Sequence, residues 1–357
     1  MPSTEMDKYI ISSLINVRQA MKKLDDSHRK ILFVVQDDFL LYGALTDGDI
    51  RRWILSGDSL DEPVENVCNK KPITFGDDYN LDDIKNTMLE HRIQAVPIVD
   101  QNNRVINLLF WDTIFDSDYH FEKKGDLDIP VVIMAGGTGT RLDPFTKILP
   151  KPLIPIGERS VLEVVIDKFR EYGIEKYYIS LFHKGKMIKA YFEELNLPYT
   201  INYLEEPKPL GTVGVLSQLQ GSIEKGSIFL TNCDTIINCN YESLVEFHYR
   251  NNYDITLVGS MINYRVPYGI CEIENEGKLV SLKEKPEYSY LVSTGMYVLK
   301  GTVLKLIPHN EHFNMTDLID KVRITNGTIG VYPISEKSWL DTGEWQEYKK
   351  TVEQLSL

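Results

Sequence analysis

Hydrophobic positions in the front part of the chain repeat one plan twice. A helix-periodic stretch at 17–24 leads to an apolar run at 31–35, a second run at 42–45 and a polar step into another helical stretch at 46–55. The plan returns as a helical stretch at 81–90, apolar runs at 95–99 and 105–109 separated by a turn at 101–103, and a helical segment at 110–114. Short apolar runs bounded by turn residues predict buried strands, and apolar spacings of three and four predict helices. The expected product is one supersecondary unit used twice, with a shared buried face. The stretch SDYHFEKKGDLD at 117–128 is charged and lacks periodicity, which predicts a linker at 119–128 between a front domain, 1–118, and a rear domain, 129–357. Two domains also suit a chain of 357 residues, which exceeds the size at which a single core stops growing.

In the rear part, strands and helices alternate. The apolar run at 129–134 ends in glycines, as a buried parallel strand would. Ser160 followed by Glu163 forms a capping-box signature for a helix that Gly173 closes. Further strands are expected at 177–182, 200–204 and 227–231, with helices at 184–195, 212–219 and 241–250. Repeated βα units predict an α/β fold with a doubly wound, mostly parallel sheet and helices on both faces. Ligands of such sheets bind beyond the carboxyl ends of the strands.

Composition narrows the chemistry. A net charge of −13 disfavours a nucleic-acid or anionic-membrane partner, so an anionic ligand must meet a local basic cluster. Cys68, Cys233, Cys239 and Cys271 form no C-x-x-C pair and predict buried free thiols. The start MPSTEMDKYI has no basic segment leading into an apolar one, and no stretch approaches a membrane span, so a cytoplasmic protein is expected.

The basic cluster follows the 129–134 strand. Ala135, Gly136, Gly137, Thr138, Gly139 and Thr140 lead into Arg141, Lys147 and Lys151, with Asp143 as the sole acid between 141 and 151. Consecutive main-chain N–H groups in a glycine-rich turn can cradle phosphate, and Pro144, Pro150 and Pro152 stiffen the cationic tail. No G-x-x-x-x-G-K-[ST] is present, and Leu142 stands where a dinucleotide fingerprint needs its last glycine.

The run GGTGTRLDPFTKILPKPLIPIG resembles the signature of the sugar-phosphate nucleotidyltransferases, and the similarity extends from about Asp128 to the C-terminus. That resemblance implies a Rossmann-like, GT-A-like sheet and the reaction of a nucleoside triphosphate with a sugar 1-phosphate. It implies that the 135–140 backbone holds base and phosphates, that Arg141 binds the triphosphate, and that Lys151 lies between the sugar phosphate and the α-phosphate. Such a reaction needs no histidine or serine base, because a phosphate monoester, with a second pKa near ~6, is already ionised. It needs neutralised charge and alignment, which Mg²⁺ and fixed cations supply. Asp234, ending the apolar run FLTNCD, is the expected first metal ligand, although the family commonly has Gly-Asp where this chain has Cys-Asp. Asp341 in WLDTG resembles the second.

Glu205, Leu210, Gly211 and Thr212 belong to EEPKPLGT, which resembles the family's base-and-sugar loop. Tyr268, Gly269, Glu284 and Lys285 resemble its sugar-side strands, and Thr294-Gly295 stands where Asn-Ala-Gly is more usual. The form LGT resembles the branch using GTP on mannose-type, heptose or hexosamine 1-phosphates more than the uridylyl or thymidylyl branch. With the front module, the resemblance points to guanylyltransferases acting on glucosamine 1-phosphate in legionaminic acid synthesis.

The front run GALTDGDIRR resembles the end of a CBS motif, so the doubled unit is expected to be an α+β CBS pair. Thr46 and Asp49 match the ribose-binding positions of that family. The resemblance implies either an adenine or related nucleotide there or a purely dimerising module, and a homo-oligomer, with a dimer favoured. The second copy lacks the matching glycine and threonine at 107–112. Two rival functions remain: a metal-dependent glycosyltransferase, which would want D-x-D where this chain has Asn232-Cys233-Asp234, and an inactive nucleotide-sensing regulator.

Overall fold

The computed structural model describes residues 6–27, 29–116, 125–223 and 225–355. Residues 117–124 of the expected linker therefore lie outside the described residues. The chain forms two compact units: Met1–Phe115 together with Ile262–Tyr290, and Asp116–Met261 together with Leu291–Leu357. The segment 262–290, which lies inside the rear domain expected at 129–357, belongs to the front unit.

In the front unit the repeat is visible in register as well as order. Ile10–Ser12 pairs in parallel with Ile31–Val35, which pairs antiparallel with Leu41–Thr46. In the second copy Phe75–Gly76 pairs in parallel with Ala95–Val99, which pairs antiparallel with Val105–Phe110. Both copies shift register at the same place, between Val34 and Val35 and between Ile98 and Val99. Phe33, Val35 and Leu41 of one copy share a core with Ala95, Val99, Val105 and Phe110 of the other, so each sheet covers the other's apolar face. Arg29 spans the copies by a 2.8 Å ion pair to Asp112, with its guanidinium 4.0 Å from the Phe110 ring centre.

The second unit is built on a seven-stranded sheet. Its order is Thr200–Glu205, Lys176–Leu181, Val131–Met134, Ser227–Asn232, Glu287–Lys300, Ile255–Arg265 and Ile329–Ile334. The first four strands are mutually parallel, and Ser227–Asn232 meets Glu287–Lys300 antiparallel. Successive side chains of a strand point to opposite faces, and both faces here are covered. Val131 and Ile133 pack with Phe169, Ile188 and Tyr241, whereas Val132 joins Leu216, Leu304 and Leu318 on the other side. Ser160 caps the helix Val161–Arg170 in a capping box with Glu163, and Gly173 adopts φ +74° just beyond it.

Two expectations are corrected. The helix expected at 212–219 is a 3-10 segment, Gly214–Leu219, because the glycines and β-branched valines of GTVGV favour no α-helix. Cys271 is exposed, while Cys68, Cys233 and Cys239 are buried, and all four are free. Cys271 lies on the antiparallel pair Ile270–Glu274 and Lys278–Lys283, whose side chains are mostly exposed. Burial, with Lys300 nearby, holds the pKa of the buried His248 down to about 4, and its ring links Ser227 Oγ at 3.2 Å to Thr256 Oγ1 at 2.8 Å. Among the described residues no helix is long and apolar enough to cross a membrane.

Candidate active site

A cavity of about 470 Å³ opens where the parallel strands of the second unit end. Met134, Gly136 to Arg141, Lys151, Phe182, Glu206, Asn232, Asp234 and His312 are among its lining residues. The glycine-rich segment leaves Val131–Met134 without regular structure, and Gly139 turns it at φ +69°. A side chain at Gly139 would press on Lys151 Cβ and Thr146 Cγ2 at 3.0 Å, so this glycine lets the basic tail fold back against the loop. Ala135 is buried and contributes backbone, its N–H donating to Ser180 Oγ at 3.3 Å.

Lys151, Asp234 and Asp341 converge on one point. Lys151 Nζ is paired with Asp234 Oδ2, and each side chain is only 12% exposed. Asp234 follows the strand Ser227–Asn232, and its carbonyl accepts from Thr342 N–H at 2.9 Å and Thr342 Oγ1 at 3.0 Å. The short strand Thr235–Ile237 pairs antiparallel with Trp339–Asp341, placing Thr235 opposite Asp341. A Cβ on Gly343 would lie 2.8 Å from Asp341 Oδ1, 2.9 Å from Asp234 Oδ2 and 3.2 Å from Lys151 Nζ. Two carboxylates and an ammonium thus border a space that glycine leaves free. Burial pushes the Asp341 carboxyl above its usual range, and the neighbouring Asp234 charge adds to this, while the Gly343 N–H, at 2.6 Å, opposes it. A pair of hard oxygen donors fits Mg²⁺, which takes one or two protein carboxylates and leaves its other positions to phosphate and water. Among the described residues no cluster of three or more His, Cys, Asp or Glu side chains forms an all-protein cage. Burial pushes the adjacent Cys233 thiol up to about 12, so it stays protonated. Arg141 lines the cavity from its surface, exposed and paired with Glu344 at 3.3 Å.

The other end of the cavity is set by two segments held together. Phe313 N–H donates to Leu210 O at 2.9 Å, Val213 and Gly214 N–H both donate to Phe313 O at 3.1 Å, and Met315 N–H donates to Thr212 Oγ1 at 2.7 Å. Gly211, at φ +78°, permits this, since a side chain would strike Phe313 O at 2.7 Å. Leu210 is fully buried, Gly211 and Thr212 line the cavity, and the same contacts bring in His312, which sequence reasoning did not single out. Glu205 does not line the cavity. It ends its strand exposed, 3.5 Å from Lys189, and the next residue, Glu206, faces inward because alternate side chains take opposite sides. Glu206 Oε2 accepts from Leu210 N–H at 2.9 Å, and Oε1 lies 2.8 Å from where a Cβ on Gly136 would stand. Burial pushes its carboxyl up, against the pull of its hydrogen bonds to Leu210 and Ser180. Strand alternation, applied to EE, was the signal that could have found it.

Thr294 is buried and donates to Val258 O at 3.0 Å, a structural bond. Gly295, at φ +87°, makes room for Asn232, whose Nδ2 would lie 2.4 Å from any Cβ there. Tyr268, Gly269, Glu284 and Lys285 belong to the front unit, where Lys285 N–H donates to Tyr268 O at 3.2 Å and Glu284 Oε2 lies 2.8 Å from the Cβ position of Gly269. Also in that unit, Thr46 and Asp49 line a separate cavity of about 560 Å³ with Lys30, Arg52, Lys71 and Arg92. Thr46 caps the helix Asp47–Leu55, its hydroxyl donating to Asp49 Oδ2 at 2.6 Å.

A glycine-rich loop, a lysine paired with one aspartate and a second aspartate beside them thus meet at the strand ends of an α/β sheet. The family model for nucleotidyl transferases matches residues 130–356, so the chain belongs to that family, and the CBS domain model matches residues 64–116. Similar curated proteins include the mannose-1-phosphate guanylyltransferase of Mycobacterium tuberculosis, 25% identical over 62% of this chain. The D-glycero-alpha-D-manno-heptose 1-phosphate guanylyltransferase of Aneurinibacillus thermoaerophilus is 26% identical over 63% of this chain and 97% of its own length. The UTP–glucose-1-phosphate uridylyltransferase of Synechocystis is 24% identical over 62% of this chain. The chain spans 62% of the length of the mycobacterial and Synechocystis proteins. Among solved structures, HddC from Yersinia pseudotuberculosis superposes with a TM-score of 0.50 at 23% identity, covering 64% of this chain and 99% of that one, which bears on the fold alone.

Proposed function

We propose that this protein is a cytoplasmic sugar-1-phosphate guanylyltransferase, joining GTP to glucosamine 1-phosphate to give a GDP-amino sugar for legionaminic acid synthesis, with release of pyrophosphate. The observation that carries the reaction class is the convergence of Lys151, Asp234 and Asp341 around Gly343, at one end of a cavity bordered by the glycine loop. The sugar-phosphate oxygen attacks the α-phosphorus, a P–O bond forms, and the bond to the β-phosphate breaks with its electron pair leaving on pyrophosphate. Lys151 balances charge on the α-phosphoryl oxygens and Arg141 holds the outer phosphates. Asp234 and Asp341 hold Mg²⁺, which supplies Lewis-acid charge stabilisation when bound. No protein base takes a proton, because the nucleophile is already an anion.

Glu206 supports guanine. Ionised, its carboxylate is acceptor-only and suits the adjacent N1–H and N2–H donors of guanine's pairing edge, whereas uracil and thymine offer one donor there. The sugar rests on the sequence resemblance, with mannose and heptose 1-phosphates as the competing substrates. Pyrophosphate release across GTP, ATP, UTP and dTTP, each with glucosamine, mannose and heptose 1-phosphates, tests both choices. GTP is expected to dominate, and Glu206→Gln is expected to lower kcat/KM for GTP about ten- to a hundredfold, the worth of roughly 1–3 kcal/mol for a two-point base contact. A wild-type preference for UTP or dTTP rejects guanine.

The front cavity is assigned to an adenine or related nucleotide. Its support is four cationic side chains, Lys30, Arg52, Lys71 and Arg92, around Thr46 and Asp49. Calorimetric titration of the full chain with AMP, ADP and ATP is expected to give saturable binding that Arg92→Ala weakens, and silent titrations would leave the module a dimerising one.

A further inference from the structure

The segment that carries Arg141 and Lys151 has little rigidity of its own. It runs through three single-turn 3-10 pieces, Thr140–Leu142, Phe145–Lys147 and Lys151–Leu153, whose bonds reach only three residues along the chain. Its prolines limit the backbone but donate no hydrogen bond to hold it in place. The position of the segment is therefore set by what it touches. Within it, Thr146 Oγ1 donates to Asp143 Oδ1 at 2.7 Å, and from outside Lys184 Nζ donates to Thr146 O at 2.7 Å.

Further ties come from one helix, Trp345–Leu355. Trp345, Tyr348 and Val352 stand three and four residues apart on one face of it and pack against the core. Trp345 Nε1 donates to Asp143 O at 3.2 Å, and the indole meets the half-exposed Phe145 ring edge-on at 4.9 Å. The Tyr348 hydroxyl donates to Pro155 O, four residues past Lys151. Glu344, at the head of the helix, is the carboxylate that pairs with Arg141. The helix starts four residues after Asp341, and its buried Thr351 Oγ1 reaches back to Asp341 O at 3.5 Å. All these groups lie within one compact unit. One helix thus grips the cation-bearing segment at both ends and the second aspartate near its own start.

We propose that Trp345 and Tyr348 are positioning residues: they clasp the two ends of the 141–155 segment, so that Arg141 and Lys151 are held at fixed distances from Asp234 and Asp341. This rests on the reading of both cations as phosphate-binding groups in the transfer reaction. The two grips act on different charges. Trp345 holds the carbonyl two residues beyond Arg141, the group assigned to the outer phosphates, which are bound alike before and during the reaction. Tyr348 holds a carbonyl beyond Lys151, the group assigned to the α-phosphoryl oxygens, where charge shifts only as the bond to pyrophosphate breaks. Loosening the first grip weakens affinity for the triphosphate, and loosening the second slows the chemical step.

The test uses the full chain carrying Trp345→Phe, which keeps a ring beside Phe145 and removes the N–H, and Tyr348→Phe, which removes only the hydroxyl. Trp345→Phe is expected to raise KM for the triphosphate the wild type uses best, GTP by expectation, about fivefold, the worth of one ordinary hydrogen bond, and to leave kcat within about twofold. Tyr348→Phe is expected to lower kcat about fivefold and to leave that KM within about twofold. A general loss of folded protein would lower kcat in both variants without this split. Independently of turnover, hydrogen exchange in 141–155 is expected to quicken in both variants while the helix Val161–Arg170 keeps its wild-type rates. The same pattern of KM and kcat in both variants, or unchanged exchange in 141–155, would overturn the proposal. A wild-type protein releasing pyrophosphate from no substrate pair would defeat the transferase reading instead, and the exchange result would then decide whether the helix clasps the segment.

Discussion

Asp234→Asn lowers kcat about a thousandfold while leaving the fold intact. The substitution keeps the shape of a side chain whose own backbone carbonyl is held by both the N–H and hydroxyl of Thr342, so the strand end stays in place. What is lost is the anionic oxygen opposite Asp341 and Lys151. Metal-assisted charge stabilisation supplies several kcal/mol to phosphoryl chemistry, and each ~1.4 kcal/mol is worth a factor of ten in rate. Pyrophosphate release measured against Mg²⁺ concentration checks it: the variant needs far more metal and never reaches the wild-type plateau. Activity within tenfold of wild type, at unchanged Mg²⁺ demand, would move the reacting centre away from this pair of strands.

The second large effect comes from Lys151→Met, and it divides activity from stability. Lys151 and Asp234 are paired with little solvent on either side, so deleting the cation leaves a nearly buried carboxylate unmatched, at a cost of about 3 kcal/mol. Denaturant unfolding of the metal-free variant is expected to show that loss, and Mg²⁺ to restore much of it by offering the carboxylates another cation. Turnover falls about a hundred- to a thousandfold and stays low with Mg²⁺, because the metal replaces the charge on Asp234 and not the charge on the α-phosphoryl oxygens. The double variant Lys151→Met with Asp234→Asn regains stability, since neither partner is left charged and alone, yet it remains inactive. If the single variant were as stable as wild type without metal, the pair would be a surface contact and the argument for a preformed anion site would fail.

The seven-stranded sheet was legible wherever local signals agreed. The apolar runs read at 129–134, 177–182 and 227–231 are too short for surface helices and fall on the strands Val131–Met134, Lys176–Leu181 and Ser227–Asn232, and the Ser160/Glu163 cap marks its helix start within the four residues that make it. The segment after 250 was read poorly, because Ile255–Arg265 and Glu287–Lys300 are long strands and the exposed pair Ile270–Glu274 and Lys278–Lys283 lies between them with no helix to mark the βα rhythm. The 3-10 segment at Gly214–Leu219 was mistaken for a helix because its apolar spacing outweighed its glycines. At the site, the strand-end rule pointed to Asp234, and the glycine loop with its basic tail pointed to Arg141 and Lys151. The sequence reading named Glu205, whereas the cavity is lined by Glu206, the neighbour whose side chain takes the opposite side of the strand.

By itself the sequence determined the class of chemistry: the glycine turn, the stiffened cations and the strand-end acids are local patterns, fixed by spacing within a few residues. It also determined that one unit is used twice in front, because a repeat carries its own signature. Only the tertiary structure decided which distant groups meet. Asp341 reaches Asp234 through the pairing of Thr235–Ile237 with Trp339–Asp341, across roughly a hundred residues. His312 enters the cavity because Gly211 lets two loops share a carbonyl, and Arg51 reaches Lys285 across 234 positions. Such contacts follow from how whole elements pack, and no window of the chain is long enough to contain them.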